Sequence, residues 1–223
     1  DTYHAVRSLA RRSLRVFLTD SAVGTQEENN LRHLVTNLGR DVAHDHVVPF
    51  LTSKHSLDFC LSYAEQAWQH GFPSLVVLGG DTIRQTSADA IIREVLQARL
   101  PRLESGAARM LQYVAVNARP ILVPALRLVF RRQDFEATLA TLVTQHLVRT
   151  LDTAAGEAVE TYHDRIAHAA IALLSEDELR DMHAVLALAL ENFAGVDAEL
   201  LADHFRAAGM YDRAAKNVMR ARE

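Results

Sequence analysis

Residues 75–92 read LVVLGGDTIRQTSADAII. The run at 75–78 is short and apolar, and it ends in Gly79, Gly80 and Asp81. A run of that kind closed by glycine marks a buried parallel strand that delivers an acidic side chain to a ligand crevice. Shortly afterwards the pattern changes. Ser87 opens SADAIIREVLQARL, in which Ile91, Ile92, Val95, Leu96 and Leu100 recur at helical spacing until Pro101. No glycine- or proline-rich linker separates the two patterns, although domain boundaries commonly carry one.

Upstream, strands and helices alternate. Residues 14–19, LRVFLT, predict a strand, and Asp20 and Gly24 a loop. Thr25 and Glu28 form a capping-box pattern for a helix carrying Leu31, Leu34, Val35 and Leu38 and stopping at Gly39. HVVPFLT at 46–52 predicts the second strand, SLDFCLSYAEQAWQH from Ser56 a helix ending at Gly71, and SLVVLGG the third strand. This rhythm predicts a parallel sheet whose strands are buried on both faces. Ligands in such sheets sit beyond the carboxyl ends of the strands. The candidate positions are therefore Thr19 with Asp20, Thr52 with Ser53 and Lys54, and Gly80 with Asp81. Three strands fall short of the eight that close a β/α barrel, so two unpaired edges are expected.

Downstream, GAARMLQYVAVNA predicts a helix ended by Pro120. ILVPALRLVF predicts another, perturbed by Pro124, and DFEATLATLVTQH a third. HLVRTLDTAAGEAVETYH reads as two strands about a turn containing Ala155 and Gly156. Helices followed by a hairpin outline a winged-helix module. A groove-reading helix needs basic residues at its start, yet FEATLATLVTQH contains no arginine or lysine. Its expected role is protein contact or packing. HDRIAHAAIALL, a second capping box at Ser175 and Glu178, and Leu179, Met182, Leu186, Leu190 and Phe193 on one face predict further helices. LLADHFRAAGMYDRAAKNVMRA predicts two more, joined at Gly209. The small Ala207, Ala208, Ala214 and Ala215 suit the close packing of a tetratricopeptide-like pair. The expected fold class is mixed: a partial β/α segment with three parallel strands over 1–83, a helical winged-helix-like segment over 87–162, and a tetratricopeptide-like segment over 163–223.

With 223 residues, nearly half of them hydrophobic, the chain can bury one large core or two small ones. Its formal net charge of -4 lacks the basic excess of a nucleic-acid-binding domain. Cys60 is the only cysteine, which leaves no intramolecular disulfide and no thiolate metal site, and its apolar helical context predicts a core position. No apolar run approaches the ~18 residues of a membrane span, and a cytoplasmic location is expected. DTYHAVRSL lacks an initiator methionine, so the chain is expected to begin partway into a longer protein. His44 and His46 have the spacing of metal-dependent hydrolases, but they sit at the beginning of the strand, away from its functional end, and are expected in a solvated loop. Lys54 and His55 border the second strand end, where they either attract an anionic cofactor or lie solvated at a helix start. Ser53 has no evident histidine–carboxylate pair to make it a nucleophile. His163 and Asp164 are expected to cap a helix.

Two resemblances attach to these stretches. VVPFLTSKHS followed by LVVLGGD resembles the methylenetetrahydrofolate reductase family of flavin-dependent β/α barrels, over roughly residues 3–82. There one strand end reads His-Leu-Thr-Cys and the next ends in a Gly-Asp pair. The resemblance implies that Thr52 and Asp81 bind the cofactor. It also implies that Asp81 lies near flavin and folate and tunes hydride transfer from NAD(P)H through FAD to a folate. Phe50 stands where the family usually has histidine and Ser53 where it has cysteine, and the family's catalytic glutamate would precede residue 1. LPRLESGAARMLQYVAVNARPI, VETYHDRIAHAAIALLS and LADHFRAAGMYDRAAKNVMRA resemble the region that follows the nucleotide-binding domain in large bacterial signalling ATPases. Those proteins are often fused to serine/threonine kinase domains or helix-turn-helix regulators. The resemblance implies a helical and winged-helix arm leading into tetratricopeptide repeats and relaying nucleotide state or partner binding. The chain has no G-x-x-x-x-G-K-[ST] phosphate loop and no H-R-D or D-F-G kinase motif. The expectation is a composite without a complete active site and with no cofactor of its own, its larger part relaying signals through a protein partner or self-association. The alternative is an FAD-dependent oxidoreductase of the reductase type.

Overall fold

The computed structural model describes residues 2–12, 14–18, 31, 35, 36, 38, 44–79, 86–191, 193 and 196–220. The chain divides into two units, 1–98 and 99–223.

The first unit opens with a helix that the sequence reading did not anticipate, α1 (Thr2–Ala10), whose Val6 and Ala10 are buried. Three parallel strands follow in the order β1 (Val16–Leu18), β2 (Val47–Thr52) and β3 (Val76–Leu78), with Val16 opposite Val47 and Phe50 opposite Val76. Helix α2 (Leu57–Gln69) connects β2 to β3. The Ser56 hydroxyl caps it by accepting from the Phe59 N–H at 3.3 Å. The chain leaves α2 through Gly71 at φ +79°, a left-handed conformation that a side chain would disfavour. Ser87 caps α3 (Ala88–Arg99) in the same way, accepting from Ala90 N–H at 3.1 Å. Of the helix expected from Thr25, the described residues Leu31, Val35, Thr36 and Leu38 are helical, and Leu31 and Leu38 are buried. Its capping residues, with Asp20, Gly24 and Gly39, lie outside the described residues.

Strand alternation sorts the sheet into two unlike faces. Val16, Leu18, Val47, Leu51, Leu75 and Val77 join Val6, Cys60, Tyr63, Ala67 and Ile91 in one core beneath the helices. The opposite face carries Phe17, Val48, Phe50, Thr52, Val76 and Leu78. Only Val48 is buried there; Phe17 is 56% exposed and Leu78 36% exposed. Phe17 and Phe50 meet edge-on with centroids 5.8 Å apart. The expectation of burial on both faces is therefore corrected. An apolar run alone does not reveal whether a second layer exists to cover it. Among the described residues β1 and β3 pair with β2 only, so each leaves one edge unpaired.

The second unit is built around α4 (Ser105–Asn117), nine of whose thirteen residues are buried. Glu104 caps it, its carboxylate accepting from the Gly106 and Ala107 N–H groups at 3.0 and 3.2 Å. α4 packs against α5 (Val123–Val129), α6 (Phe135–Thr144), α7 (Asp164–Ile171), α8 (Glu176–Leu190) and β6 (Gly156–Thr161). β4 (Ile121–Leu122), β6 and β5 (Val148–Thr153) form an antiparallel sheet in that order. The stretch expected to be one helix across Pro124 is corrected. Ile121 and Leu122 pair with Val159 and Ala158, and Pro124 sits in the first turn of α5, where the missing amide has no intrahelical partner to lose. Because Thr153 pairs with Gly156, the hairpin loop is Ala154 and Ala155. The Ser175–Glu178 capping box at α8 is complete on both sides. α9 (Ala198–Ala207) and α10 (Tyr211–Arg220) are joined through Gly209 at φ +76°, and Phe205, Ala214 and Met210 pack with Ala187 of α8.

Candidate functional site

At the end of β2, Thr52 is half-buried on the open sheet face, and its carbonyl lies 3.9 Å from the Cys60 thiol. Ser53 is fully buried. Its N–H donates to the Leu78 carbonyl at 2.9 Å, and its carbonyl accepts from Thr86 N–H at 3.4 Å. These bonds tie the ends of β2 and β3 together through backbone, so Ser53 acts as a strut. His55 is also buried, its ring 4.4 Å from that of Phe59. The solvated reading of His55 is therefore corrected, because the first turn of α2 turns this imidazole onto an aromatic ring. Asp81 and Gly80, like Thr19 and Asp20, lie outside the described residues. The described residues here present an apolar face beside Thr52. Cys60 is buried in the core of the first unit.

His44 and His46 fall in a short 3₁₀ turn before β2. His44 bonds the His70 carbonyl at 2.5 Å through Nδ1 and stacks on Phe72 at 4.6 Å, whereas His46 faces its neighbour Asp45 at 3.9 Å. Each imidazole thus has a separate structural partner. Among the described residues no group of three or more His, Cys, Asp or Glu side chains is placed to hold a metal ion. No helix among them is long and apolar enough to cross a membrane.

The second unit contains a cleft of about 350 Å³ between the end of α4, the β5–β6 hairpin and the start of α7. Its polar lining includes Arg119, Arg149, Glu160, Tyr162, His163, Asp164 and His168. Each arginine is held by a carboxylate. Arg149 Nη2 lies 2.5 Å from Glu160, its cross-strand partner, and Arg119 pairs with Asp197 and, at 3.9 Å, with Glu199. The Arg149 guanidinium also lies over the Tyr162 ring, 6.0 Å from its centroid. His163 caps α7, its Nδ1 accepting from Arg165 N–H at 3.2 Å, which assigns the ring hydrogen to Nε2. Asp164 occupies the first turn, where a carboxylate suits the helix dipole. The cleft offers paired cations and ring donors for binding, and its described side chains contain no nucleophile held by a base. The capping role expected of His163 is the geometry found. Arg119, Arg149, Glu160 and Tyr162 were not singled out from sequence, because their convergence requires the hairpin to fold back on α4.

The chain matches no protein-family model and no curated protein.

Proposed function

We propose that the second unit is a winged-helix arm leading into a tetratricopeptide-like helix pair. On this reading the chain relays signals by protein contact or self-association, as the arms of bacterial signalling ATPases do, and contains no complete active site. The observation that carries this reading is the outer face of α6, the helix that precedes the hairpin. Glu136, Ala137, Ala140, Thr141 and Thr144 are exposed there, and the nearest guanidinium, Arg127, is tied to Glu136. A DNA-reading helix needs cations free to meet phosphates, whereas a smooth, nearly uncharged face suits a protein surface. A photoreactive residue at Thr141 in cells is expected to give one discrete protein adduct, and Ala140→Arg is expected to remove it. Adducts with nucleic acid, or none, overturn the reading.

A flavin-dependent oxidoreductase of the methylenetetrahydrofolate reductase type is the second reading, favoured by the one-sided sheet. A β/α barrel turns inward the sheet face opposite its helices, and here that face is apolar and carries Thr52. FAD bound near Thr52 and Asp81 would then require further strands to enclose it. A purified protein with a flavin spectrum and an NADH oxidation lost in Asp81→Asn would support this reading, and a colourless protein without oxidase activity rejects it.

A further inference from the structure

Three helices of the second unit meet at a line of polar side chains, two of them buried and the third, His183, half-buried. Asn117, at the end of α4, donates through Nδ2 to the Arg119 carbonyl at 2.8 Å, which orients its Oδ1 inward. His204 of α9 places Nε2 3.3 Å from that Oδ1, and its Nδ1 lies 2.8 Å from Nδ1 of His183 on α8. Asn117 and His204 are both buried. The donor order follows from the ends of the line. Asn117 Oδ1 only accepts, so His204 carries its hydrogen on Nε2, its Nδ1 is a lone pair, and His183 Nδ1–H must donate to it. A proton added to His204 at Nδ1 is accommodated when His183 moves its own hydrogen to Nε2, which keeps the Nδ1–Nδ1 bond with its direction reversed. A proton added to His183 goes to its Nε2 and leaves the bond intact. The arrangement therefore holds one added proton, whereas charging His204 beside an already charged His183 sets two N–H groups head-on.

We propose that Asn117, His204 and His183 form an acid-operated latch that holds the α9–α10 pair against α4 and α8, and that proton uptake by His204 beside a charged His183 opens it. Burial first, and the nearby His183 ring second, lower His204 from its ordinary 6.5 to about 4, against a smaller upward pull from Asp203 on the same helix. α4 contributes only the neutral Asn117 to this line. Burial also lowers His183. His204 thus binds a proton more weakly when latched than when released. The latched state is fully favoured above 6.5, loses ground as pH falls from 6.5 towards 4, and changes little below that. The outer tie of α9 to the same turn, from Asp197 to Arg119, keeps its carboxylate ionised across this window. The Glu199 backbone N–H and Arg119 hold Asp197 below the usual carboxylate range. The latch stands on the packing of these helices alone, whatever the chain contacts.

Hydrogen exchange of the whole chain at pH 7.5 and pH 5.0, corrected for the intrinsic rate, tests this. Opening of α9 and α10 is expected to rise by about 30-fold at pH 5.0, the factor for one group moving between about 4 and 6.5. The β5–β6 hairpin is expected to stay protected. His204→Gln, which can bond on both sides without titrating, is expected to abolish the rise. An equal rise in all elements, no rise, or a rise that survives in His204→Gln overturns the latch. Should that variant fail to fold, NMR titration of the wild-type rings decides. His204 titrating near 6.5 overturns the latch, and His204 titrating well below 6, with α9 amides shifting in step, supports it.

Discussion

The two units bury apolar surface in opposite ways. In the first, helices cover one side of a three-stranded sheet, and aromatic side chains stand on the other. In the second, α4 is enclosed by helices and by β6, and nine of its thirteen residues are buried. Apolar sequence thus yields a one-sided layer in one unit and an enclosed core in the other. Burial on one face needs only local βαβ packing, whereas enclosure of a helix needs elements from distant parts of the chain.

The contrast predicts a ranking of substitutions. Phe135→Ala, in the enclosed core, is expected to cost about 3–5 kcal/mol in the second unit, read by circular dichroism in denaturant. A loss below ~1 kcal/mol would mean that this core is loosely packed. Leu51→Ala is expected to cost about 2–5 kcal/mol in the first unit, because Leu51 faces the helices. Trp68, the only tryptophan, reports that transition by fluorescence. Ser175→Ala is expected to cost about 1 kcal/mol by removing the cap of α8. Bonds from the Ser175 N–H and hydroxyl lower Glu178 below the usual carboxylate range. Its contribution is therefore present above that range and lost as pH falls through it, and Glu178→Gln is expected to flatten the acid limb of a stability–pH curve. The smallest effect sharpens the comparison most. Phe17→Ser is expected to change stability by no more than ~0.5 kcal/mol, and Phe50→Ala by about 1 kcal/mol or less, although phenylalanine is larger than leucine. A Phe50→Ala loss equal to that of Leu51→Ala would show the open face to be covered.

Caps and turns were the most legible features. Ser56, Ser87 and the Ser175–Glu178 box act within a few residues of themselves, so their signatures survive in sequence and were read correctly. The three parallel strands and the hairpin were legible because their apolar runs and turn residues are also local. The two-residue strand at Ile121 and Leu122 was not, since it exists only by pairing with Ala158 and Val159. α1 escaped notice for want of a cap or a strong apolar repeat. At the candidate sites, His163 was legible as a helix cap. Arg119 and Arg149, which enter the same cleft from different elements, were not.

Sequence by itself determined most of the helices and strands, that the chain carries no phosphate loop, and that the helix before the hairpin lacks cations. Those properties reside in residue type and short spacing. Tertiary structure alone decided that one sheet face is left open and that two arginines and two histidines line one cleft. It also decided that His204 bonds Asn117 across 87 residues of chain. Each of these depends on where distant backbone segments come to rest, and the direction of a buried hydrogen bond is set only once both partners are in place.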